Sequence, residues 1–195
     1  QKKIPFDVKE KPNPMSPYGV TKYASELISI LKSKQKKIDL LCLRPFNTFG
    51  PYQSEKAIIP EIILKCLQNK EIKTTEGKQT REFNYIDNII DGLLFINNKI
   101  KHSIDPINIG SNKPIPIKNL VKKIHLYSSS SSKLKIGSLK YRPNEIWKMQ
   151  ANNKFIVSKG WKPKISFDLG LKMTINWYQN FYKTYLNKNS LFKKL

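Results

Sequence analysis

Arginine is nearly missing from this sequence. Of its 36 basic residues, set against 14 acidic ones, only Arg44, Arg81 and Arg142 are arginine, in a chain of 195 residues with a net charge of +22. A surface that reads nucleic-acid phosphates favours arginine's bidentate fork. Here the lysines run along the whole chain, with no dense basic tail and no nucleic-acid-binding signature. That pattern speaks for a general lysine bias at the surface and against nucleic acid as the partner. Each retained arginine then marks a position that needs the planar guanidinium. Cysteine is as scarce. Cys42 and Cys66 sit in apolar stretches without C-x-x-C spacing, which excludes a disulfide framework and reads as two buried free thiols of a reducing, cytoplasmic compartment. His102 and His125 each stand alone, which leaves no ligand set for zinc. The 8 glycines nowhere form G-x-G-x-x-G, so the phosphate-binding turn of a dinucleotide fold is not among these residues. No apolar run approaches the length of a membrane span and no signal peptide is visible.

What is present alternates short apolar runs with amphipathic helical patterns. Pro5, Pro12, Pro14 and Pro17 keep the first residues out of helix. From Tyr18 to about Lys34, Val20, Tyr23, Ala24, Leu27, Ile28 and Leu31 recur at helical spacing and predict one buried stripe. Ile38–Leu43 reads as a buried parallel strand. A helix follows through Ile62, Ile63, Cys66 and Leu67, another spans Asn88 to Ile96 with Asp87 as its cap, and a third lies near Ile117–Leu126. Pro106–Ser111 reads as a strand and turn, Ser128–Ser132 as a flexible connector, and Trp161 as a packing anchor. Leu169, Met173 and Trp177 share one face of an amphipathic closing helix, and Tyr185–Leu195 reads as a solvated tail.

The chemistry concentrates at Pro14–Lys22, P-M-S-P-Y-G-V-T-K. Tyr18 and Lys22 stand at i and i+4, which puts them on one helix face. A phenol is a weak acid at neutral pH, and an ammonium group beside it stabilises the phenolate; the pair can therefore act as a proton-transfer unit. Asn47 follows the predicted strand, where ligands of doubly wound sheets bind, although an Asx cap would look the same. Arg81 can fork onto a diphosphate or ribose.

These segments form an ordered set. P-x-S-P-Y-G-x-T-K at residues 14–22, R-P-x-N-x-x-G-P at 44–51, G-x-x-x-R-x-F-x-Y-I-D at residues 77–87 and N-I-G-S at 108–111 resemble the nucleotide-sugar epimerase/dehydratase branch of the extended short-chain dehydrogenase/reductase superfamily. Arg142-Pro143-Asn144-Glu145 is similar to that family's R-P-G-D, with two substitutions. The resemblance covers most of the chain. It implies an α/β fold: the C-terminal part of a Rossmann-type parallel sheet plus a small α/β substrate-binding cap. The sheet portion would take residues 1–50 and 80–110, with 51–79 and most of 111–195 in the cap. It also implies that the Gly-rich part and the active-site Ser/Thr precede Gln1, and that the isolated chain is poorly soluble and inactive.

For function, the resemblance implies NAD-dependent modification of a nucleoside-diphosphate sugar through a 4-keto intermediate, with NADP as an alternative cofactor. Tyr18 and Lys22 would be catalytic and would also contact the cofactor, as would Pro45. Asn47, Ala57, Ile58, Arg81, Asn108, Arg142 and Glu145 would bind substrate. The motifs look most like those of 4,6-dehydratases; a 4-epimerase and a decarboxylase use the same pair. The resemblance further implies a homodimer built around the Tyr18 helix, with Tyr23, Leu27 and Leu31 at the interface or in the core. From a different class, a non-catalytic sugar-nucleotide-binding remnant stays open.

Overall fold

The computed structural model describes residues 3–100, 103 and 105–187, with side chains to residue 181. The elements run α1 (Pro17–Lys36), β1 (Leu43–Pro45), β2 (Thr48–Phe49), α2 (Ile58–Leu67), β3 (Ile72–Thr74), β4 (Thr80–Arg81), β5 (Asn84–Tyr85) and α3 (Ile86–Lys99). They continue as β6 (Ile107–Ile109), β7 (Ile115–Pro116), α4 (Ile117–Tyr127), β8 (Leu134–Ile136), β9 (Lys148–Met149), α5 (Lys154–Ser158) and α6 (Phe167–Asn187). The chain is α/β with parallel strand pairs. It divides into two compact units, one of residues 1–48, 82–114 and 148–164, the other of residues 49–81, 115–147 and 165–195. Segment 148–164 thus joins the unit that holds Tyr18. His102 and most of the lysine-rich tail lie outside the described residues.

In the first unit β1 and β6 pair in parallel, setting Leu43 beside Ile107, Arg44 beside Asn108 and Pro45 beside Ile109. Ile107 and Ile109 pack with Ile89 and Ile96 of α3, Ile156 of α5, and Trp161. Trp161 is the anchor its sequence context predicts: its indole Nε1–H donates to Asp91 Oδ2 at 2.9 Å, and the Lys164 ammonium bonds the other oxygen of the same carboxylate. The strand expected over Ile38–Leu43 begins only at Leu43. Backbone bonds from Ser103 and Ile107 still reach Leu40 and Cys42, but β6 is too short to extend the ladder that far. Asp87 lies inside the first turn of α3, whose cap is the backbone of Tyr85 with no side-chain bond. It complements the helix dipole there and does not cap.

In the second unit α2, α4 and α6 bury Ile59, Ile62, Ile63 and Cys66 against Leu120, Val121, Ile124, Leu171 and Ile175. Two short pairings, β3 with β8 in parallel and β4 with β7 antiparallel, complete it. Gly77 is required where it stands: its φ is +68°, and a Cβ would lie 2.5 Å from the Lys118 nitrogen. The serine run is not a loose connector. Ser130 Oγ donates to the Cys66 carbonyl at 3.0 Å, Ser132 Oγ to that of Lys65 at 3.2 Å and Ser131 Oγ to Asn69 Oδ1 at 2.9 Å. Small hydroxyls cap the end of α2, a role that composition alone does not reveal.

Two helices turn a different face inward from the one their apolar spacing suggests. In α1 the half-buried and buried positions are Tyr23, Glu26, Ile30 and Ser33, while Val20, Leu27, Ile28 and Leu31 are about half exposed. In α6 Leu171, Thr174, Ile175 and Tyr178 are buried, and Leu169 and Met173 are exposed. The apolar stripes of both helices exceed what their own units cover. Among the described residues no helix is long and apolar enough to cross a membrane.

Candidate active site

Helix α1 is set by its first residues. Ser16 takes extended geometry and its Oγ accepts the Gly19 amide at 3.1 Å, while Pro17 begins the helix where no N–H is needed. That start puts Tyr18 in the first turn and Lys22 one turn on, with the ammonium nitrogen 5.6 Å from the centre of the phenol ring. Both are exposed, Tyr18 by 71%. They line an open concavity of about 690 Å³ with Glu26, Cys42, Arg44 and Pro45.

The wall of this concavity is braced by charge. Glu26, a further turn along α1, receives both Arg44 Nε at 2.9 Å and Arg44 Nη2 at 2.6 Å. The two side chains are 15% and 24% exposed, so the fork ties α1 to β1 with two charge-assisted bonds. Lysine at 44 would keep the charge and lose the fork. We expect Arg44→Lys to cost about 1–2 kcal/mol, read from urea titrations of wild type and variant. Beside this pair, burial first and then the Glu26 carboxylate push the Cys42 thiol up, with Arg44 opposing; the thiol stays protonated at neutral pH and is no nucleophile.

At the end of β1, Asn47 is held by a polar network. Its Nδ2 donates to the Glu82 carbonyl at 3.2 Å and to Met149 Sδ at 3.3 Å, and its own carbonyl accepts the Asn84 amide at 2.8 Å. Glu82 is fully buried. Its carboxylate takes the Ala151 amide at 2.6 Å and Asn84 Nδ2 at 3.1 Å. Burial pushes this carboxyl above the usual range while those donors pull it back. Gly110 is glycine because a Cβ would meet Glu82 Oε1 at 2.0 Å. Asn108, also buried, gives its amide to the carbonyls of Phe6 at 2.8 Å and Asn152 at 3.2 Å.

The remaining predicted residues belong to the second unit. Ala57 is the cap residue of α2 and Ile58 its first member, with no side chain bonded to the helix's free amides. Arg81 Nη2 pairs with Glu145 Oε1 at 2.7 Å, both side chains 14% exposed. Burial draws the guanidinium down from its ordinary value and Glu145 opposes it. Arg142 is exposed. The structure thus brings Tyr18, Lys22 and Pro45 to one concavity and joins Arg81 to Glu145. Sequence reasoning missed Glu26, Glu82 and Asn84. Only Glu26 left a local signal, as the third member of a Tyr18, Lys22, Glu26 series at four-residue spacing.

This chain is 27% identical over 188 residues to human dTDP-D-glucose 4,6-dehydratase, covering 93% of this chain and 53% of that one. It is 31% identical over 191 residues to a putative UDP-glucose 4-epimerase of Methanocaldococcus jannaschii, covering 93% and 59%. Among solved structures it superposes on UDP-N-acetylglucosamine 4-epimerase from Methanobrevibacter ruminantium M1, determined with UDP-N-acetylmuramic acid, at a TM-score of 0.83 and 26% identity, over 92% of this chain and 59% of that one. The chain spans about half the length of these relatives. A family model, described as the NAD dependent epimerase/dehydratase family, matches residues 1–110. The chain belongs to the NAD dependent epimerase/dehydratase family.

Proposed function

We propose that the protein carrying this chain modifies a nucleoside-diphosphate sugar through a 4-keto intermediate, as a 4,6-dehydratase. The observation that carries the reading is the placement of Tyr18 and Lys22 on one exposed face of α1, in a concavity with Pro45. The residues fit NAD, or NADP in its place, at its reactive end: a phenol to exchange a proton with the sugar, an ammonium to hold ribose hydroxyls and the phenolate, and an apolar wall at Pro45 for the nicotinamide. NAD bound there would supply the acceptor for the hydrogen of sugar carbon 4 with its electron pair, and the donor for its return. Tyr18 accepts the proton of the hydroxyl on that carbon. Lys22 stabilises the phenolate that takes this proton. The ketone so made acidifies the C–H bond at carbon 5, which allows water to leave from carbons 5 and 6.

Asn47 and Asn108 are assigned to substrate binding; so are Ala57 and Ile58, where the Ile58 amide at the start of α2 suits a diphosphate, and Arg81, Arg142 and Glu145. The second reading is a 4-epimerase, favoured by the M. jannaschii and M. ruminantium relatives; a decarboxylase would use the same pair. Soluble cytoplasmic operation and a homodimer formed through the exposed apolar face of α1, Leu27 and Leu31 included, complete the proposal. The sheet and cap division at residues 1–50, 51–79, 80–110 and 111–195 stands as part of it. The test is product analysis: the complete reading frame containing this chain is incubated with UDP-, GDP-, CDP- and dTDP-sugars and the products are weighed by mass spectrometry. Loss of one water from a single substrate supports the dehydratase, and an isomer of unchanged mass supports the epimerase. No conversion of any of them sinks the proposal in favour of a binding remnant.

A further inference from the structure

We infer that Glu82 is a positioning residue for sugar-nucleotide binding, acting through Asn47; the inference rests on the function proposed above. Three observations converge on it. Asn47 Nδ2 is committed to two acceptors, the Glu82 carbonyl and Met149 Sδ. An amide whose donors are both fixed has its carbonyl direction fixed too, so the side chain arrives at its ligand already oriented. The Asn47 backbone is pinned by Asn84, and Asn84 is in turn clamped from both ends: its Nδ2 donates to Glu82 Oε1 at 3.1 Å and its Oδ1 accepts the Ser111 amide at 2.8 Å. The Glu82 carboxylate closes the network by taking the Ala151 amide at 2.6 Å.

A carboxylate is the group this place needs. Both neighbours bonded to it, Asn84 and Ala151, are N–H donors, and an ionised carboxylate is acceptor-only. Glutamine would have nearly the same shape but would turn an NH₂ toward those donors. One contact would then become a donor–donor clash, and the backbone at Ala151 or the side-chain amide of Asn84 would have to move. Asn84, whose backbone N–H and Nδ2 both reach the Asn47 carbonyl, would then hold Asn47 less firmly.

A double-mutant cycle separates this role from a merely structural one. In the complete protein, Glu82→Gln, Asn47→Ala and the double variant are compared by calorimetry with whichever of UDP-, GDP-, CDP- and dTDP-glucose the wild type binds most tightly. Glu82→Gln is expected to weaken sugar-nucleotide binding about tenfold to a hundredfold and to leave NAD affinity unchanged. The double variant should bind no worse than Asn47→Ala alone. If Glu82→Gln does not fold, Asn84→Ala replaces it in the same cycle, with the same expected non-additivity. Effects that multiply, or a Glu82→Gln protein that binds sugar nucleotide as wild type does, overturn the inference while leaving the proposed function standing. A wild-type protein that binds none of these sugar nucleotides overturns both.

Discussion

Replacing Tyr18 by phenylalanine is expected to lower kcat by about 10²–10⁴-fold, the usual worth of a positioned proton-transfer group, with KM for the nucleotide sugar nearly unchanged. The phenol is 71% exposed, so its hydroxyl contributes little to folding, and surface changes of this kind stay within about 0.5 kcal/mol. The helix start does not depend on it either, because Ser16 and Pro17 set that geometry. A steady-state comparison with an unfolding curve for the same preparation checks both halves of the statement. An equal fall in kcat/KM is expected, since the interaction removed is made in the transition state. Undiminished turnover in the phenylalanine variant would remove Tyr18 from the chemistry.

Replacing Trp161 by alanine is the largest expected effect on stability, about 3–5 kcal/mol. The indole is buried among Ile89, Ile96, Ile107, Ile109 and Ile156, and it touches the position of Gly92, where a Cβ would sit 3.3 Å from the ring. Trp161→Phe keeps most of that packing and loses the bond to Asp91, so about 1–2 kcal/mol is expected for it. The same carboxylate carries a pH dependence. The Lys164 ammonium holds Asp91 below its ordinary value, with the Trp161 indole helping and burial opposing. A carboxyl whose folded value is depressed contributes stability above its unfolded value, near pH 4, and loses that contribution as pH falls through the folded one. Wild-type unfolding free energy should therefore decline below about pH 4, and Asp91→Asn should flatten part of that decline. Chemical denaturation at a series of pH values measures both.

The tyrosine and lysine were legible because i, i+4 spacing, a Ser-Pro start and an apolar-periodic run all act within one helix. Helix α4 was legible for the same reason, its Ile117, Leu120, Val121 and Ile124 all turning inward. The strands were harder: at two or three residues each they are too short for alternation to show, and β1 is placed by its pairing with β6 more than by its own residues. Glu82 was illegible in principle. Its burial depends on a donor 69 positions away at Ala151, and a glutamate in a polar-looking run gives no local sign of that. Arg81 illustrates the middle case. Its rarity pointed correctly to a position that uses a guanidinium, and the structure supplies the partner, Glu145, which sequence had assigned a separate role. The apolar faces of α1 and α6 misled because periodicity reports which face is apolar, while which face is buried is decided by packing against residues distant in sequence.

In the proposed reaction the hydrogen on sugar carbon 4 leaves and returns within one active site while Tyr18 handles the hydroxyl proton. Turnover of a nucleotide sugar carrying deuterium at carbon 4, in ordinary water, tests this. Full retention of the label in the product is expected, at carbon 6 for the dehydratase or back at carbon 4 for the epimerase. Release of the carbon-4 deuterium into solvent during turnover would contradict it.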